Sequence, residues 1–448
     1  MEIFKDERVA KLIKLIKEQI HGSHFENKVF VVGGTIRDSL LGIKTRDIDI
    51  CVLMPNGGQL FSSYMTSRNG CHIYGKNPVL YKNSKTYKFN LHIEEFESFD
   101  IECSTATKSL VDDALERDLT INSLYYDISN DKLLDPTEHG IGDLMYKTLR
   151  CPSTLNGNCN RIYMKDPIKM VRTIRFSTLL EWGIEKDTWL SIIEHTNLIN
   201  QIAKEKIAIE LCRILLADKP SIGIRKMYYC GMLHSILPDV YDMTTMMAKK
   251  ETLFDHTMNV LDCVDRRLVN RLSALFHEIT SLLASNSKHY KETKAFAIEV
   301  VGLSLLELGF SKTTIANVEN AIMYHDAFSR CSEKTIPSDK SLRKFINLVG
   351  NNISVVLDLM YANNLCTYPS KAKQVIKIGK RIAEIIKTYE PNSLPITGKD
   401  IMKEFNLKEG PHIGILLDNL RKELVKNPNL TKEQAFSITE KKLKKITV

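Results

Sequence analysis

Over the first fifty positions of the chain, the apolar residues occur in two kinds of pattern, one typical of helices and one typical of strands. Residues 1–20 carry apolar side chains at helical spacing, which predicts an amphipathic helix. The apolar run Val29–Val32 is typical of a buried strand, and it leads into the glycine pair Gly33 and Gly34. A helical pattern follows over residues 35–41. The pattern therefore predicts helix, strand, tight turn and helix in succession.

A second strand is predicted where polar and apolar residues alternate just after this helix. Asp47 and Asp49 then lie on one face of the strand, and Ile48 and Ile50 lie on the other. Two carboxylates on one face repel each other and are costly to desolvate together unless a cation lies between them. Carboxylate oxygens suit Mg²⁺ and leave positions for phosphates, and backbone N–H groups at the glycine turn can bind an anion. The pattern indicates a metal and phosphate site; the alternative is a solvent-facing edge strand with two ordinary aspartates.

Further strands are predicted after residues 54–77, which are rich in Gly, Ser and Asn and predict a long loop. Residues 86–93 and 96–103 alternate as strands do. Asp100 and Glu102 are two positions apart, so both can lie on one face of the later strand. The alternative is a surface strand with alternating charges.

Helical sequence takes over from residue 161, so the pattern predicts an α+β chain whose later part is helical. Asp166 and Pro167 predict a helix start, with Asp166 as the N-cap and Pro167 in the first helical position. Near the C-terminus, Gly410 and Pro411 break the chain before another amphipathic helix.

Composition and charge limit the class of protein without fixing its function. The 448 residues are 43% hydrophobic and 26% charged, which is typical of a globular protein of about two to four domains. A net charge of +8 permits a nucleic-acid partner but does not demand one. Ten cysteines occur without a C-x-x-C pair, so we expect reduced thiols. No apolar run approaches transmembrane length. We expect a cytoplasmic protein without a membrane partner, while the nucleus, the mitochondrion and the oligomeric state stay open.

The glycine turn and the aspartates resemble the signature of the polymerase β-like nucleotidyltransferases, in the version carried by tRNA nucleotidyltransferases (CCA-adding enzymes) and bacterial-type poly(A) polymerases. That signature is GG-x-x-RD followed by DxD, and the matching positions are Gly33, Gly34, Arg37, Asp38, Asp47 and Asp49. The resemblance implies that the glycines and Arg37 position phosphates. It also implies two catalytic Mg²⁺ ions bound by Asp47, Asp49 and a third carboxylate on a neighbouring strand. Glu102 and Asp100 fit that third position in different registers, and we prefer Glu102.

Residues 112–127 are similar to a second segment of the family, RRD-x-T-x-N-[AS]-L. The matching positions are Arg117, Asp118, Thr120, Asn122, Ser123 and Leu124. The resemblance implies that Asp118 accepts hydrogen bonds from the ribose hydroxyls and that Arg117 faces the triphosphate. The first Arg of the pattern is Glu116 in this chain, which removes one phosphate contact.

The stretch KDPIKMVRTIRF resembles the family's EDP-x-R-x-x-R-x-x-RF, in which the Asp and the first Arg present a Watson–Crick-like edge to the incoming base. The resemblance implies that Asp166 and Lys169 read the base here. Lys165 replaces the preceding acid, and Lys169 replaces a rigid Arg fork with a flexible point donor. Arg172 and Arg175 match later arginines of the motif, so the resemblance implies that both bind the nucleotide, with Arg172 in contact with the triphosphate.

Two helical stretches further on carry charged residues whose roles differ. The segment EKIAIELCRIL resembles a neck helix of the family, in which we expect Lys206, Glu210 and Arg213 to hold the helices together by ion pairs. In the middle of the chain, His256 and the pair His277-Glu278 resemble the metal-binding HD phosphohydrolase fold, which some relatives carry. Because a working site of that fold needs His followed by Asp, we interpret these residues as a structural remnant.

The C-terminal residues 394–424 are similar to the tail of CCA-adding enzymes, which packs near the elbow of tRNA. The matching positions are Gly398, Asp400, Gly410, Pro411, Ile413 and Gly414. The resemblance therefore implies four parts. They are a catalytic nucleotidyltransferase head with a mixed sheet over residues 1–150, an all-α neck over 151–220, a helical body over 221–390 and a tRNA-binding tail over 391–448.

The resemblance implies an enzyme that adds CCA to the 3′ end of tRNA from CTP and ATP, without a template, by two-metal nucleotidyl transfer that releases pyrophosphate. The same chemistry with CC-only, A-only or poly(A) specificity is the alternative. A non-catalytic RNA-binding relative is less favoured, because such a protein has no reason to keep the mutually repelling Asp47 and Asp49.

Overall fold

The computed structural model describes most of the chain, namely residues 3–45, 47–67, 73–75, 79–81, 86–93, 98–152, 159–248, 251–284, 290–332, 335–389 and 394–444. The chain forms two compact units, Met1–Ile236 and Leu237–Val448. Part of the predicted loop over residues 54–77 lies outside the described residues, as do the last four residues.

The first unit is built on one mixed sheet. Its strands are β1 (Val29–Val32), β2 (Asp47–Leu53), β3 (Ile73–Gly75), β4 (Val79–Tyr81), β5 (Thr86–Ile93), β6 (Phe99–Ala106), β7 (Tyr125–Asp127) and β8 (Lys132–Leu134). They follow the order β3-β5-β6-β2-β1-β7-β8, and β4 also pairs with β5. Strands β2 and β6 run parallel, whereas the other pairs of this sheet are antiparallel. The predicted mixed sheet is confirmed.

Helices alternate with the strands of this sheet in the chain, and the rest of the unit is mainly helical. They are α1 (Glu7–Ile20), α2 (Gly34–Leu41), α3 (Gly57–Ser67), α4 (Leu110–Leu115), α5 (Gly140–Met145), α6 (Cys159–Lys165), α7 (Ile168–Leu180), α8 (Lys186–Glu194), α9 (Lys204–Leu215), α10 (Ser221–Tyr229) and α11 (Met232–Ile236). The described residues of this unit also include the 3₁₀ helices Thr120–Asn122 and Thr196–Gln201 and a short parallel pair, β9 (Thr148–Leu149) with β10 (Gly183–Ile184).

The packing of α1 against the sheet decides which sheet face is free for chemistry. The apolar side of α1 is buried as its spacing predicts, through Val9, Leu12, Ile13, Ile16 and Ile20. The same core contains the β2 isoleucines Ile48 and Ile50. Because side chains alternate along a strand, Asp47 and Asp49 project from the opposite face.

Residues 57–67 form helix α3, so the prediction of a continuous loop there was wrong. Phe61 and Met65 lie four positions apart and are both buried in the sheet core. A Cβ on Gly58 would lie 2.9 Å from the carbonyl oxygen of Cys103. The glycine that suggested a loop is therefore there because the helix packs closely on the sheet.

The second unit is helical apart from one hairpin, β11 (Met247–Ala248) with β12 (Glu251–Thr252), within its described residues. Its helices are α12 (Pro238–Asp242), α13 (Leu253–Cys263), α14 (Leu268–Phe276), α15 (Ile279–Ala284), α16 (Tyr290–Glu307), α17 (Lys312–Tyr324), α18 (Asp339–Val349), α19 (Ile353–Thr367), α20 (Pro369–Ile386), α21 (Gly398–Glu404), α22 (Pro411–Lys426) and α23 (Lys432–Leu443). Helix α22 begins at Pro411, directly after Gly410, as predicted. The α+β fold with a helical C-terminal part is confirmed.

One described helical stretch of the second unit, Asp339–Thr367, is long and apolar enough to cross a membrane by length and composition alone. It consists of α18, a 3₁₀ turn at Gly350–Asn352 and α19. Half of its most apolar window is buried, and residues such as Leu342 and Val356 belong to the core of this unit. The stretch is therefore a pair of core helices.

Candidate active site in the first unit

The turn between β1 and α2 is fixed against the two aspartates of β2. Gly33 has a φ of 68°, and a Cβ at this position would lie 2.9 Å from Asp49 Oδ2. The Gly34 N–H donates to the Asp49 carboxylate. Thr35 Oγ1 accepts a hydrogen bond from the Asp49 N–H at 3.0 Å and donates one to the Asp47 carbonyl oxygen at 3.2 Å. The turn and the first residues of β2 therefore form one rigid piece of backbone.

Strand β6 places a third carboxylate beside this piece. Asp49 is paired in register with Glu102, and Asp47 with Asp100. Burial and the charge of Glu102 raise the pKa of Asp49 to about 6, against the opposing effect of Arg117. A carboxylate pair in this state fits a cation between its members, because a cation favours the ionised form of both.

The two candidates for the third carboxylate have different partners on strand β5. The Glu102 carboxylate forms an ion pair with Lys88, directly across from it. Asp100 is exposed and accepts a hydrogen bond from Asn90 Nδ2 at 2.9 Å. Of these two acids, only Glu102 is among the charges that raise the pKa of Asp49. The geometry favours Glu102.

Arg117 also lies beside the glycine turn. Its Nη2 and Nε donate to Asp113 Oδ2 at 2.9 and 3.0 Å, and Nε also donates to Tyr125 Oη at 3.1 Å. Its Nη1 would be 3.4 Å from a Cβ on Gly33. Although burial disfavours the charged form, Tyr125 and Asp113 keep the pKa of Arg117 above its ordinary value. Arg117 is therefore a fixed positive charge beside Asp49.

Four of the quoted motif residues form one hydrogen-bonded chain. Arg37 Nη1 donates to Asn122 Oδ1 at 2.6 Å, and Asn122 Nδ2 donates to Asp118 Oδ1 at 2.9 Å. Arg172 Nε donates to Asp118 Oδ2 at 2.8 Å, and Arg172 Nη2 lies 2.6 Å from the same oxygen in an ion pair. Although burial opposes ionisation, Arg172 and Asn122 hold the pKa of Asp118 below its ordinary value. Asp118 is therefore a buried, ionised acceptor held in place from two sides.

Arg175 lies on the same helix as Arg172 and pairs with Glu210 of helix α9. Its Nη1 lies 2.8 Å from Glu210 Oε2, and Arg213 Nη1 donates to Glu210 Oε1 at 3.0 Å. Burial lowers the pKa of Arg175 to about 10. The ring of Phe176 lies between two guanidinium groups, 4.2 Å from that of Arg175 and 4.9 Å from that of Arg37. The ion pair expected between Glu210 and Arg213 is confirmed, and Glu210 also holds Arg175 of helix α7.

The segment that starts at Asp166 begins with a residue that does not cap its helix. Helix α7 starts at Ile168, after Pro167, and no side chain of the described residues caps it. The prediction of Asp166 as N-cap was therefore wrong, because Pro167 holds that position: its carbonyl oxygen accepts the hydrogen bond of the Met170 N–H at 3.1 Å. The charge of Asp166 instead acts on Arg172, whose pKa is raised chiefly by Asp118 and to a smaller extent by Asp166. In the first turn of α7, Lys169 Nζ donates to the carbonyl oxygen of Glu116 at 2.7 Å.

The structure adds residues whose roles the sequence pattern did not reveal. Asn122 links Arg37 to Asp118, Asp113 holds Arg117, and Thr35 joins the two ends of the turn. The spacing of Asp113 and Arg117, four residues apart near a helix, is a signal that could have indicated their ion pair. Phe176 is the last residue of the matched RF pattern, but that match does not indicate its contacts with Arg175 and Arg37.

A separate cluster in the second unit has the chemistry of a metal site. Ligand atoms of His256, His277 and Glu278 all lie within 4.8 Å of one another. His277 Nδ1 lies 2.8 Å from the Ala274 carbonyl oxygen and so carries the proton, which leaves a lone pair on the buried Nε2. That nitrogen has no hydrogen-bond partner among the described residues. Burial lowers the pKa of His277 to about 4, so the ring is neutral at pH 7.

Asn363 stands beside this cluster, with its Oδ1 2.9 Å from His256 Nε2. A neutral amide therefore occupies a place where a further carboxylate would bind a cation more strongly. The interpretation of these histidines as a structural remnant stays a prediction.

Two family models match parts of the chain. Residues 29–150 match the Poly A polymerase head domain, and residues 183–243 match a probable RNA and SrmB-binding site of polymerase A. The first match contains the glycine turn, the carboxylate face and Arg117. The second lies mainly in the neck helices that support Arg175.

Similarity also extends over nearly the whole chain. The CCA-adding enzyme of Ligilactobacillus salivarius is 25% identical over 428 residues, which cover 92% of this chain and 91% of that enzyme. The Bacillus stearothermophilus CCA-adding enzyme in complex with CTP has a TM-score of 0.66 at 16% identity, covering 97% of this chain and 98% of that one. The Thermotoga maritima CCA-adding enzyme complexed with tRNA has a TM-score of 0.62 at 20% identity, covering 98% and 96%. These structures share the fold of this chain.

Proposed function

We propose, since the chain belongs to the family of tRNA nucleotidyltransferases and bacterial-type poly(A) polymerases, that it is an enzyme that adds C, C and A to the 3′ end of tRNA. CTP and ATP are its substrates, and the protein takes the place of a template. The observation that carries this proposal is the carboxylate face of Asp49 and Glu102 beside the glycine turn and the fixed charge of Arg117.

The carboxylate face fits divalent metal ions, which nucleotidyltransferases of this family use. The raised pKa of Asp49 reflects burial and a neighbouring negative charge, and a bound cation relieves both. We assign two Mg²⁺ ions to Asp47, Asp49 and Glu102. When bound, the ions would lower the pKa of the RNA 3′-hydroxyl and offset negative charge on the triphosphate and the leaving pyrophosphate.

The residues around the turn hold the nucleotide's phosphates in line with the attacking hydroxyl. Gly33 and Gly34 let the phosphates approach the backbone, and a Cβ on Gly33 would press on Asp49 instead. Arg117 supplies a positive charge whose position Asp113 fixes. Arg37 is braced by Asp38 and Asn122, which leaves its remaining N–H groups for a phosphate oxygen.

The hydrogen-bonded chain around Asp118 orients the ribose and the triphosphate. Asp118 is ionised, so its unused lone pairs can accept hydrogen bonds from ribose hydroxyls. Arg172 fixes this carboxylate and keeps further N–H donors, which we assign to the triphosphate. We assign Arg175 a supporting contact, because it acts through Phe176 and Glu210.

Asp166 and Lys169 select the base. Asp166 accepts a hydrogen bond from an exocyclic amino group, which cytosine and adenine both have. Lys169 donates to the adjacent ring nitrogen, an acceptor in cytosine and adenine but not in uracil. Because one Nζ donor of Lys169 is already engaged by Glu116, two others remain for the base.

The proposal also includes a cytoplasmic location and a role for each part of the chain. The nine described cysteines are free thiols, as we expect in the cytoplasm. We assign catalysis to the head over residues 1–150 and base recognition to the neck over 151–220. We assign tRNA binding to the tail over residues 391–448. The body over residues 221–390 connects the neck to this tail along the chain.

Incorporation assays on three tRNAs test this function. The tRNAs end before CCA, after C and after CC, and each receives CTP or ATP separately with Mg²⁺. We expect C on the first two and A on the third. No incorporation on any of them would reject the proposal, and long A tails on generic RNA would indicate a poly(A) polymerase.

Two substitutions on one sheet face test the metal assignment. Asp47→Ala removes a proposed ligand and should abolish incorporation while tRNA binding stays intact. Asp100→Asn is the matched control, because Asp100 is paired in register with Asp47 but is bonded to Asn90. We expect this control to keep its activity. Equal loss in both variants would contradict the choice of Glu102 over Asp100.

A further inference from the structure

Glu116 joins the head to both ends of the base-recognition segment. Its carboxylate forms an ion pair with Lys165 and lies 3.9 Å from Arg161, both on α6. Its carbonyl oxygen accepts the hydrogen bond of Lys169 Nζ at 2.7 Å. One residue at the C-terminal end of α4 thus contacts the residue before Asp166 and the residue three positions after it.

These contacts give the Lys169 ammonium a fixed position, which a lysine side chain does not have by itself. A lysine ammonium is a point charge on a flexible stem, whereas an arginine fork has a rigid geometry. A carbonyl oxygen at the end of a helix is an available acceptor and attracts a cation. The Glu116 carbonyl therefore fixes the position of Nζ, and the ion pair with Lys165 fixes the backbone that carries this carbonyl.

The charges of Glu116 and Lys165 are reversed as a pair relative to the motifs that the chain otherwise matches. An acid stands where RRD has its first Arg, and a base stands where EDP has its Glu. The structure shows that these two positions touch. A single reversal would place two like charges together, so the two departures compensate each other.

We propose that Glu116 is a positioning residue for base selection, acting through Lys165 and Lys169; this inference rests on the proposed nucleotidyltransferase function. Glu116 does not contact the nucleotide. It holds the Lys169 ammonium at the place where the base edge arrives, so its effect appears in the choice of nucleotide rather than in the chemical step.

Charge reversal of the pair tests this role. The variants are Glu116→Lys, Lys165→Glu and the double variant with both changes. The readout is the preference for CTP over UTP, as a ratio of kcat/KM values, on a tRNA ending before CCA. An exposed ion pair contributes little to stability, and the side chains of this pair are 59% and 41% exposed, so the variants should fold. Thermal unfolding checks this.

We expect each single variant to lower the preference about two- to fivefold, the range that a surface ion pair spans in free energy. The double variant should restore it, because the attraction is rebuilt with opposite signs. Lys219→Glu is the matched control, since Lys219 forms a similarly exposed ion pair with Glu181 in the same unit. This control should leave the preference unchanged.

The outcomes separate this inference from the function on which it rests. A wild-type protein that incorporates no nucleotide would reject the proposed function. An active wild type whose preference does not change in Glu116→Lys or Lys165→Glu would reject only the positioning role. A double variant as impaired as the singles, although folded, would also reject it.

Discussion

Arg172 forms an ion pair with Asp118, in which its Nε donates a hydrogen bond to Asp118 Oδ2 at 2.8 Å and its Nη2 lies 2.6 Å from the same oxygen. The side chain of Asp118 is only 6% exposed, whereas that of Arg172 is 39% exposed. The pair therefore joins a buried acid of the head to a cation at the edge of the site. Its strength decides how firmly the proposed ribose acceptor is held.

Removal of Arg172 should destabilise the first unit. In Arg172→Ala, Asp118 keeps the hydrogen bonds of Asn122 and of the Leu119 N–H but loses the hydrogen bond and the positive charge of the guanidinium. We expect the free energy of unfolding to fall by about 1–3 kcal/mol, as for other buried groups that lose a partner. Urea unfolding at pH 7 measures this. Lys219→Ala, which removes an exposed pair, should change it by no more than about 0.5 kcal/mol.

The loss of stability in Arg172→Ala should depend on pH, and it should be largest where Asp118 is ionised in the folded and in the unfolded protein. Arg172 and Asn122 outweigh burial and hold the pKa of Asp118 below the ordinary 3.8. Stabilisation from a lowered acid pKa is complete above the unfolded value and is lost as the pH falls through the folded one. The difference between wild type and Arg172→Ala should therefore shrink below pH 3.8. A difference that stays constant from pH 7 to pH 3 would contradict the pairing.

The sequence pattern predicted the centre of the fold well because the relevant signals are local. The spacing of apolar residues in α1, the glycine turn and the alternation of β2 each depend on neighbours in the chain. Two failures have a physical cause in packing. Gly58 looked like a loop residue but lets α3 lie on the sheet, and Pro167 made Asp166 look like a cap that the helix does not use.

The partners within the candidate site could not be predicted in the same way. The register of β2 with β6, which pairs Asp49 with Glu102, is a contact between strands far apart in sequence. The contact of Glu116 with Lys165 likewise spans two segments that the sequence pattern treats separately. Both residues looked like isolated departures from a motif, and only their contact shows that they compensate.

Substitution of Gly33 should damage the site more than the fold. Gly33→Ala places a Cβ 2.9 Å from Asp49 Oδ2 and forces a side chain into a backbone conformation near φ 68° and ψ −137°. Such strain costs about 1–3 kcal/mol. We expect loss of incorporation at temperatures where the variant is still folded, because the Asp49 carboxylate must shift.

Gly42→Ala is the matched control for this prediction. Gly42 also has a positive φ, 73°, but no atom lies within 4 Å of a Cβ built there. Its substitution should lower stability by about 1 kcal/mol and leave incorporation by the folded protein unchanged. If the two variants lose activity in parallel with stability, the close approach of Gly33 to Asp49 has no special role.

Binding of Mg²⁺ should weaken as the pH falls through 6. In the metal-free protein, burial and Glu102 raise the pKa of Asp49 to about 6, so a proton competes with the metal ion at this carboxylate. Between pH 7.5 and pH 5.5 we expect the apparent affinity to fall several-fold, since about three quarters of Asp49 is protonated at the lower pH. Calorimetric titration with Mg²⁺ alone measures it, and proton release should accompany binding at pH 5.5.

The same titration on Asp49→Asn and Asp100→Asn assigns the competing proton. Asp49→Asn should bind Mg²⁺ weakly at both pH values, while Asp100→Asn should keep the pH dependence of wild type because Asp100 is bonded to Asn90. A pH dependence that survives in Asp49→Asn would show that a different carboxylate takes up the proton.

Lys169 should decide the choice of base without deciding the rate of the chemical step. Lys169→Met keeps the length of the side chain and removes its donors, so the ring nitrogen of cytosine loses its partner and uracil is no longer disfavoured there. We expect the preference for CTP over UTP to fall about tenfold or more, the effect of one lost polar contact on discrimination. The value of kcat for CTP should change less than this preference. Single-turnover incorporation with each nucleotide on a tRNA ending before CCA measures both, and an unchanged preference in Lys169→Met would mean that Lys169 does not read the base.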